Sequence, residues 1–147
     1  MEYRTITKSV LHQLGIGKTY SGYNYILRAI ELILQNEDVL TNVTKILYID
    51  IAKEYQTSQT CVERNIRKVI EVIWKHADVN SIQLQKIFGE KFLSLKPSNK
   101  EFLELLYEYI KLQEEILWQI YGNTREIDSG EQFRADLLEL IYHGIMP

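Results

Sequence analysis

Apolar residues recur every three or four positions along most of the chain, the spacing that places them on one face of an α-helix. This spacing predicts helices over about Ile6 to Leu14, Tyr23 to Gln35, Val39 to Val43, Thr44 to Tyr55, Gln59 to His76, Ser81 to Phe88 and Ser98 to Tyr121. An alternation of apolar and polar residues, which marks a half-buried strand, persists nowhere. The pattern therefore predicts an all-α fold.

Residues that commonly begin or end helices lie at the ends of these predicted helices. Gly15 follows the first predicted helix and can adopt the left-handed conformation that ends a helix. Ser98 and Glu101 have the spacing of a capping box, in which each side chain bonds the backbone N–H of the other residue. Gly122 ends the long helix that this box begins, and a last helix is predicted from Ser129 toward Tyr142.

Composition limits the class of protein. The chain has 147 residues, 46% of them hydrophobic, which is enough for one domain with a substantial core. Cys61 is the only cysteine, so no intrachain disulfide can form, and this suits a reducing compartment. The first fifteen residues mix charged and apolar side chains, unlike a signal peptide. No apolar run approaches the roughly 20 residues of a membrane span. We therefore expect a cytoplasmic protein without a membrane partner.

Charge is distributed unevenly although the net charge is only -3. Residues 1–100 contain 14 Lys and Arg against 10 Asp and Glu, a net charge of +4. Residues 101–147 contain 3 against 10, a net charge of -7. The net positive charge of residues 1–100 suits contact with phosphates. The plainer interpretation is that both parts of the chain have ordinary solvated surfaces.

Residues 44–76 have the pattern of a helix-turn-helix. Ala52 is small enough for a close helix crossing, and the polar break Gln56 to Ser58 is followed by a second helix for which Ser58 is a suitable N-cap. The inner face of that helix consists of Val62, Ile66, Val69 and Ile73, and its outer face of Cys61, Glu63, Arg64, Arg67, Lys68 and Glu71. An exposed helix with arginines in its first turns fits a DNA major groove. The pattern alone leaves a purely structural hairpin as an alternative.

Several stretches of the sequence that match a known family favour DNA binding over a purely structural hairpin. They are LHQLGI (11–16), GYNYI with AI (22–26 and 29–30), TKILY (44–48), IAKEY (51–55), VERNIRKVIEVIW (62–74), IFG (87–89) and KPSNKEF (96–102). In order and spacing, from Val10 to about Ile110, the chain resembles the C-terminal, DNA-binding domain of the stage-zero sporulation response regulator of spore-forming Firmicutes.

The resemblance implies a compact six-helix domain over residues 1–110. The chain continues beyond the matched region, and its apolar spacing and charges predict an acidic helical extension over residues 111–147. It also implies a recognition helix in the major groove of a promoter box, domains that pair on DNA, and contact with the sigma subunit of RNA polymerase. The DNA-binding positions that it implies, together with neighbours on the same helix, are Thr60, Cys61, Glu63, Arg64, Arg67, Lys68 and Lys96.

Some positions depart from the family pattern. Cys61 stands where the family has an arginine that reads a base, and a thiol cannot make a bidentate contact with guanine. Ile49 replaces a proline in the first helix of the hairpin. We also see no counterpart of the family's phosphate-accepting receiver domain. Altered or weakened site preference is therefore expected, and loss of DNA binding stays open as an alternative. We also expect that aspartyl phosphorylation does not switch this protein.

Three interpretations of the extension stay open. In the first, its last helix packs on the domain's own core. In the second, this helix forms a homodimer interface or a partner surface. In the third, the acidic side chains of the extension lie against the basic recognition face and inhibit it. The function predicted is a DNA-binding transcription regulator, and the alternative is a protein that no longer binds DNA and modulates a sporulation regulator by pairing with its effector domain. No cluster of residues predicts an enzyme, a metal site or a cofactor site.

Overall fold

The computed structural model describes residues 3–121, apart from the side chains of Thr44 and Tyr121. Six α-helices follow one another in this part of the chain: α1 (Tyr3–Gln13), α2 (Ser21–Gln35), α3 (Tyr48–Glu54), α4 (Gln59–Lys75), α5 (Ser81–Phe88) and α6 (Asn99–Tyr121). All remaining regular structure within residues 3–121 is also helical. The expected all-α fold is confirmed, whereas the helix predicted from Ser129 lies outside the described residues.

Local signals define most helix ends. Gly15 has a φ of 86°, and the N–H of Ile16 bonds the carbonyl of Leu11 at 2.9 Å, which closes α1. Ser98 and Glu101 form the predicted capping box at the start of α6, with N···O distances of 3.0 and 3.1 Å. The α4 and α5 helices lie within one residue of their predicted bounds.

The segment between α2 and α3 differs from the prediction. In place of an α-helix over Val39 to Val43 and another from Thr44, the chain forms a 3-10 helix (Glu37–Asn42) and a π-helical turn (Val43–Leu47). Two asparagines explain this path, because the side chains of Asn36 and Asn42 accept bonds from the backbone N–H groups of Asp38 and Lys45. Each cap starts a new helical turn, so neither predicted helix forms as one uninterrupted α-helical segment.

The core lies around α2, which contacts α1, α3, α4 and α6. Its buried side chains include Ile26, Leu27, Ile30 and Ile33, and the side of α2 that faces α3 carries Arg28, which pairs with Glu54 at 2.9 Å. At the opposite end of the core, the rings of Trp74, Phe88 and Phe102 join α4, α5 and α6, with centroids 5.1 to 6.1 Å apart. The indole N–H of Trp74 also donates to the carbonyl of Phe92 at 2.6 Å. The contacts of Trp74 hold the C-terminal end of α4 against α5 and α6.

Gly22 determines how closely α2 approaches α4. A Cβ atom at this position would lie 2.3 Å from the carbonyl oxygen of Asn65 and 2.6 Å from a methyl group of Val69. The absence of a side chain therefore lets the start of α2 support the first half of α4 directly.

The α6 helix runs without a break past Ile110 to Tyr121. Leu106, Ile110 and Leu117 on one side are buried, whereas Leu112, Trp118 and Ile120 are exposed. None of the helices in the described part of the chain is both long and apolar enough to cross a membrane.

Candidate nucleic-acid interface

A tight turn joins α3 to α4. Gln56 adopts a left-handed backbone conformation with a φ of 53°, and the N–H of Thr57 bonds the carbonyl of Ala52 at 2.9 Å. Ser58 then caps α4, because its hydroxyl accepts from the N–H of Cys61 at 3.0 Å. The turn fixes the direction in which α4 leaves α3, and Ala52, whose carbonyl accepts the bond of the turn, is buried.

The inner face of α4 matches the prediction. Val62, Ile66, Val69 and Ile73 are all fully buried. Because 3.6 residues make one turn, the opposite face must point away from the core. Thr60, Arg64, Arg67 and Lys68 are exposed there, and 53% of the Arg67 side chain is accessible. Both arginines are therefore accessible from solvent.

The outer face of α4 contains two rows of charged residues with different pairing. In the first row, Glu63 and Arg67 form an ion pair of 2.5 Å one turn apart, and Glu71 lies 3.9 Å from the Nζ of Lys96. In the second row, Arg64 and Lys68 have no ion-pair partner among the side chains of residues 3–121. The side chains of the first row are paired inside the protein, and those of the second row are available to a ligand.

Lys96 lies beside α4 on the loop before α6, as a DNA-approaching position requires. A groove of about 700 Å³ separates the loop from α4, and its lining includes the cations Arg67, Lys96 and Lys100 and the carboxylates Glu63 and Glu101. Lys100 was missed at the sequence level. The signal that could have found it is its position at the start of the long helix, directly after the loop that contains Lys96.

Cys61 is not placed with the outer row, although the helix pattern predicted it there. The thiol is partly buried, and its Sγ accepts a bond from the side-chain amide of Asn65 at 3.3 Å. The hydroxyl of Tyr25 is also hydrogen-bonded to Cys61. The Cys61 side chain is therefore directed toward Asn65 of the same helix and toward Tyr25 of α2.

Two ionisable groups beside the groove are shifted by their surroundings. Burial raises the pKa of Tyr48, an effect that a hydrogen bond from Asn99 partly opposes. Hydrogen bonds from the backbone and side chain of Ser98 lower the pKa of Glu101. At neutral pH the groove therefore has a neutral phenol at its base and an ionised carboxylate at its edge.

A comparison with protein families identifies this arrangement. The model of the family described as the C-terminal domain of sporulation initiation factor Spo0A matches residues 7–110. The chain belongs to this family. The family is a DNA-binding effector domain of a sporulation regulator, so the resemblance seen in the sequence is confirmed. The match ends within α6, at a residue where the helix itself continues. Within residues 3–121, no group of three His, Cys, Asp or Glu side chains is arranged to hold a metal ion.

Proposed function

We propose that this protein is a sequence-specific transcription regulator that binds double-stranded DNA, with α3 and α4 acting as a helix-turn-helix. The α4 helix enters the major groove of a promoter box. The observation that carries the proposal is the outer face of α4, where two exposed arginines project from a helix whose inner face is fully buried. A rigidly supported helix with exposed guanidinium groups is what direct readout requires.

Each side chain of the interface has a role that its chemistry allows. Arg64 and Arg67 donate to the O6 and N7 atoms of guanine, and Glu63 accepts from the amino group of cytosine. Lys68 and Lys96 neutralise phosphates, and exposed Thr60 bonds a phosphate or a base edge near the start of α4. Cys61 lies within the interface without a polar contact to a base, because its sulfur is occupied by Asn65.

The Glu63–Arg67 pair determines how α4 reads its site. A surface ion pair of this kind is worth at most about 1 kcal/mol, whereas a bidentate contact to guanine contributes about 1–3 kcal/mol of discrimination. It is therefore favourable for Arg67 to exchange the carboxylate of Glu63 for the edge of a guanine. Glu63 is then free to accept from a neighbouring cytosine, so the pair favours a G·C-rich step at this point of the box.

The wider proposal follows the family. It includes a cytoplasmic location, pairing of two copies on DNA, and contact with the sigma subunit of RNA polymerase. It also divides the chain into a DNA-binding domain over residues 1–110 and an acidic extension over residues 111–147. The exposed Leu112, Trp118 and Ile120 on the C-terminal half of α6 support a protein contact at this part of the helix.

Selection from a random DNA pool, followed by salt-dependent titration of the selected site, tests the proposal. We expect Arg67→Ala to weaken binding by about 1–3 kcal/mol and to relax the preference at one base pair. Lys68→Ala should weaken binding to all sequences and reduce the slope of log K against log salt by about 1. Lys8→Ala, which removes an exposed cation from α1, is the matched control and should change neither quantity. Failure of the unaltered protein to enrich any sequence would overturn the proposal.

The alternative function is a partner protein that pairs with the effector domain of a sporulation regulator without binding DNA. The inward position of Cys61 favours it, because a base-reading position of the family has been lost. Size-exclusion chromatography with light scattering, using this protein mixed with a full-length regulator, separates the two functions. Mixed oligomers together with no DNA retention support the alternative.

A further inference from the structure

Asn99 connects three helices with a single side-chain amide. It is the first residue of α6 and is partly buried. Its Nδ2 atom donates to the backbone carbonyl of Glu63 on α4 at 3.0 Å and to the hydroxyl of Tyr48 on α3 at 3.0 Å. Both N–H groups of the amide are therefore used inside the protein, so they are not available to a ligand.

The two acceptors are themselves held in place. The carbonyl of Glu63 is part of the backbone of α4, one turn before Arg67. Tyr48 is only 2% exposed, so its hydroxyl is held by the core. On the other side of Asn99, the capping box of Ser98 and Glu101 holds the loop against the start of α6. The amide thus joins a rigid loop to a rigid recognition helix.

Lys96 and Lys100 flank Asn99 and line the groove that Arg67 also lines. Their pairing inside the protein is weak. Lys96 lies 3.9 Å from Glu71 across an exposed contact, and Lys100 has no ion-pair partner among the side chains of residues 3–121. The position of both ammonium groups relative to α4 therefore depends on how the loop backbone is attached, and Asn99 supplies that attachment.

We propose that Asn99 is a positioning residue that keeps Lys96 and Lys100 in register with the base-reading side chains of α4, so that one DNA strand meets these two lysines while α4 occupies the major groove. This inference rests on the proposed function. It adds Lys100 to the phosphate-contacting set and assigns Asn99 a role that involves no contact with DNA. A duplex presents phosphates and base edges at fixed separations, so misplacement of the loop costs contacts that both lysines would otherwise make.

Asn99→Ala tests the proposal, with Asn80→Ala as the matched control because Asn80 precedes α5 and its side chain makes no capping bond. We expect Asn99→Ala to weaken binding to the selected site about 10-fold, because the misplaced Lys96 and Lys100 lose contacts to phosphates. The slope of log K against log salt should fall by about 1 to 2, because each lost phosphate contact contributes about 0.9. Asn80→Ala should leave both quantities unchanged.

A second comparison separates positioning from a merely structural effect. In a Lys96→Ala/Lys100→Ala background, adding Asn99→Ala should leave the salt slope unchanged, because the groups through which it acts are gone. Tyr48→Phe removes one acceptor and keeps the ring, so it remains informative if Asn99→Ala folds poorly, and it should weaken binding by a smaller factor in the same direction.

The inference is overturned if Asn99→Ala and Tyr48→Phe bind with the affinity and salt slope of the unaltered protein. It is also overturned if Asn99→Ala lowers affinity equally with and without the two lysines. These outcomes leave the proposed function intact, since the unaltered protein still binds. Absence of salt-dependent binding by the unaltered protein overturns both proposals together.

Discussion

Replacing Gly22 with alanine adds one methyl group at the crossing of α2 and α4. In an ordinary helix this change is favourable by up to about 1 kcal/mol, because alanine has the higher helix propensity. Here the new Cβ would lie 2.3 Å from the Asn65 carbonyl oxygen and 2.9 Å from the Asn65 carbonyl carbon, both backbone atoms that no rotamer change can move. The crossing itself must therefore open.

The size of the effect follows from these distances. Contacts of a Cβ shorter than 3.0 Å essentially do not occur, so the helices must separate by about 0.7 Å at this point. A gap of about 0.5–1 Å forfeits a quarter to a half of the dispersion energy of each atom pair that it separates. We expect a net loss of about 3 kcal/mol in the free energy of unfolding, at the upper end of the range for overpacked cores.

Urea unfolding followed by circular dichroism measures this loss. Gly17→Ala is the matched control, because a Cβ at Gly17 meets nothing within 4 Å and its φ is not positive. We expect it to change stability by less than about 0.5 kcal/mol, as surface substitutions usually do. If Gly22→Ala unfolds at the same urea concentration as Gly17→Ala, α2 and α4 do not cross as closely as described, and α4 lacks the support assigned to it.

Three further results are expected. Cys61→Arg should add a base contact and sharpen the selected DNA site at one position by about 1–3 kcal/mol, whereas Cys61→Ala should not; equal site preferences for the two variants would refute this. Ser98→Ala should cost about 1 kcal/mol in urea unfolding and raise the pKa of Glu101 in an NMR titration, because the hydrogen bonds that lower this pKa are weakened. Burial and a hydrogen bond with Glu37 raise the pKa of Tyr107 from 10.0 to about 12. The folded state therefore holds this proton longer than the unfolded state, and the stability that it contributes is present below pH 10 and falls between about pH 10 and 12. Unfolding measurements across this range should show a shallower decline for Tyr107→Phe, and identical declines would contradict the assignment.

Much of the fold can be derived from local chemistry. The start of α4 follows from Ser58 and the start of α6 from Ser98 and Glu101, because a capping side chain bonds backbone groups only two or three residues away. The buried face of α4 follows in the same way from apolar residues at helical spacing. These features depend on neighbours along the chain, so they are visible before any tertiary contact is known.

The candidate site depends more strongly on distant contacts. Helical spacing places Cys61 beside the outer row, and only the nearby Tyr25 of α2 and the amide of Asn65 show that its sulfur turns inward. The sequence predicts two α-helices after α2, over Val39 to Val43 and from Thr44, whereas capping by Asn36 and Asn42 produces a 3-10 helix and a π-helical turn ahead of α3. In each case an asparagine side chain forms a hydrogen bond that regular helix geometry does not predict, and the surrounding groups decide whether this bond forms.

The sequence by itself determined which segments are helical, which face of α4 is buried and which family the domain resembles, because periodicity, caps and motif spacing are properties of residues close together in the chain. Tertiary structure alone decided the close crossing at Gly22. It also decided the bridge from Asn99 to Glu63 and Tyr48, which precede it by 36 and 51 positions in the chain. Such contacts form between surfaces that fold together from separate segments, and no local pattern specifies which backbone carbonyl a distant amide will meet.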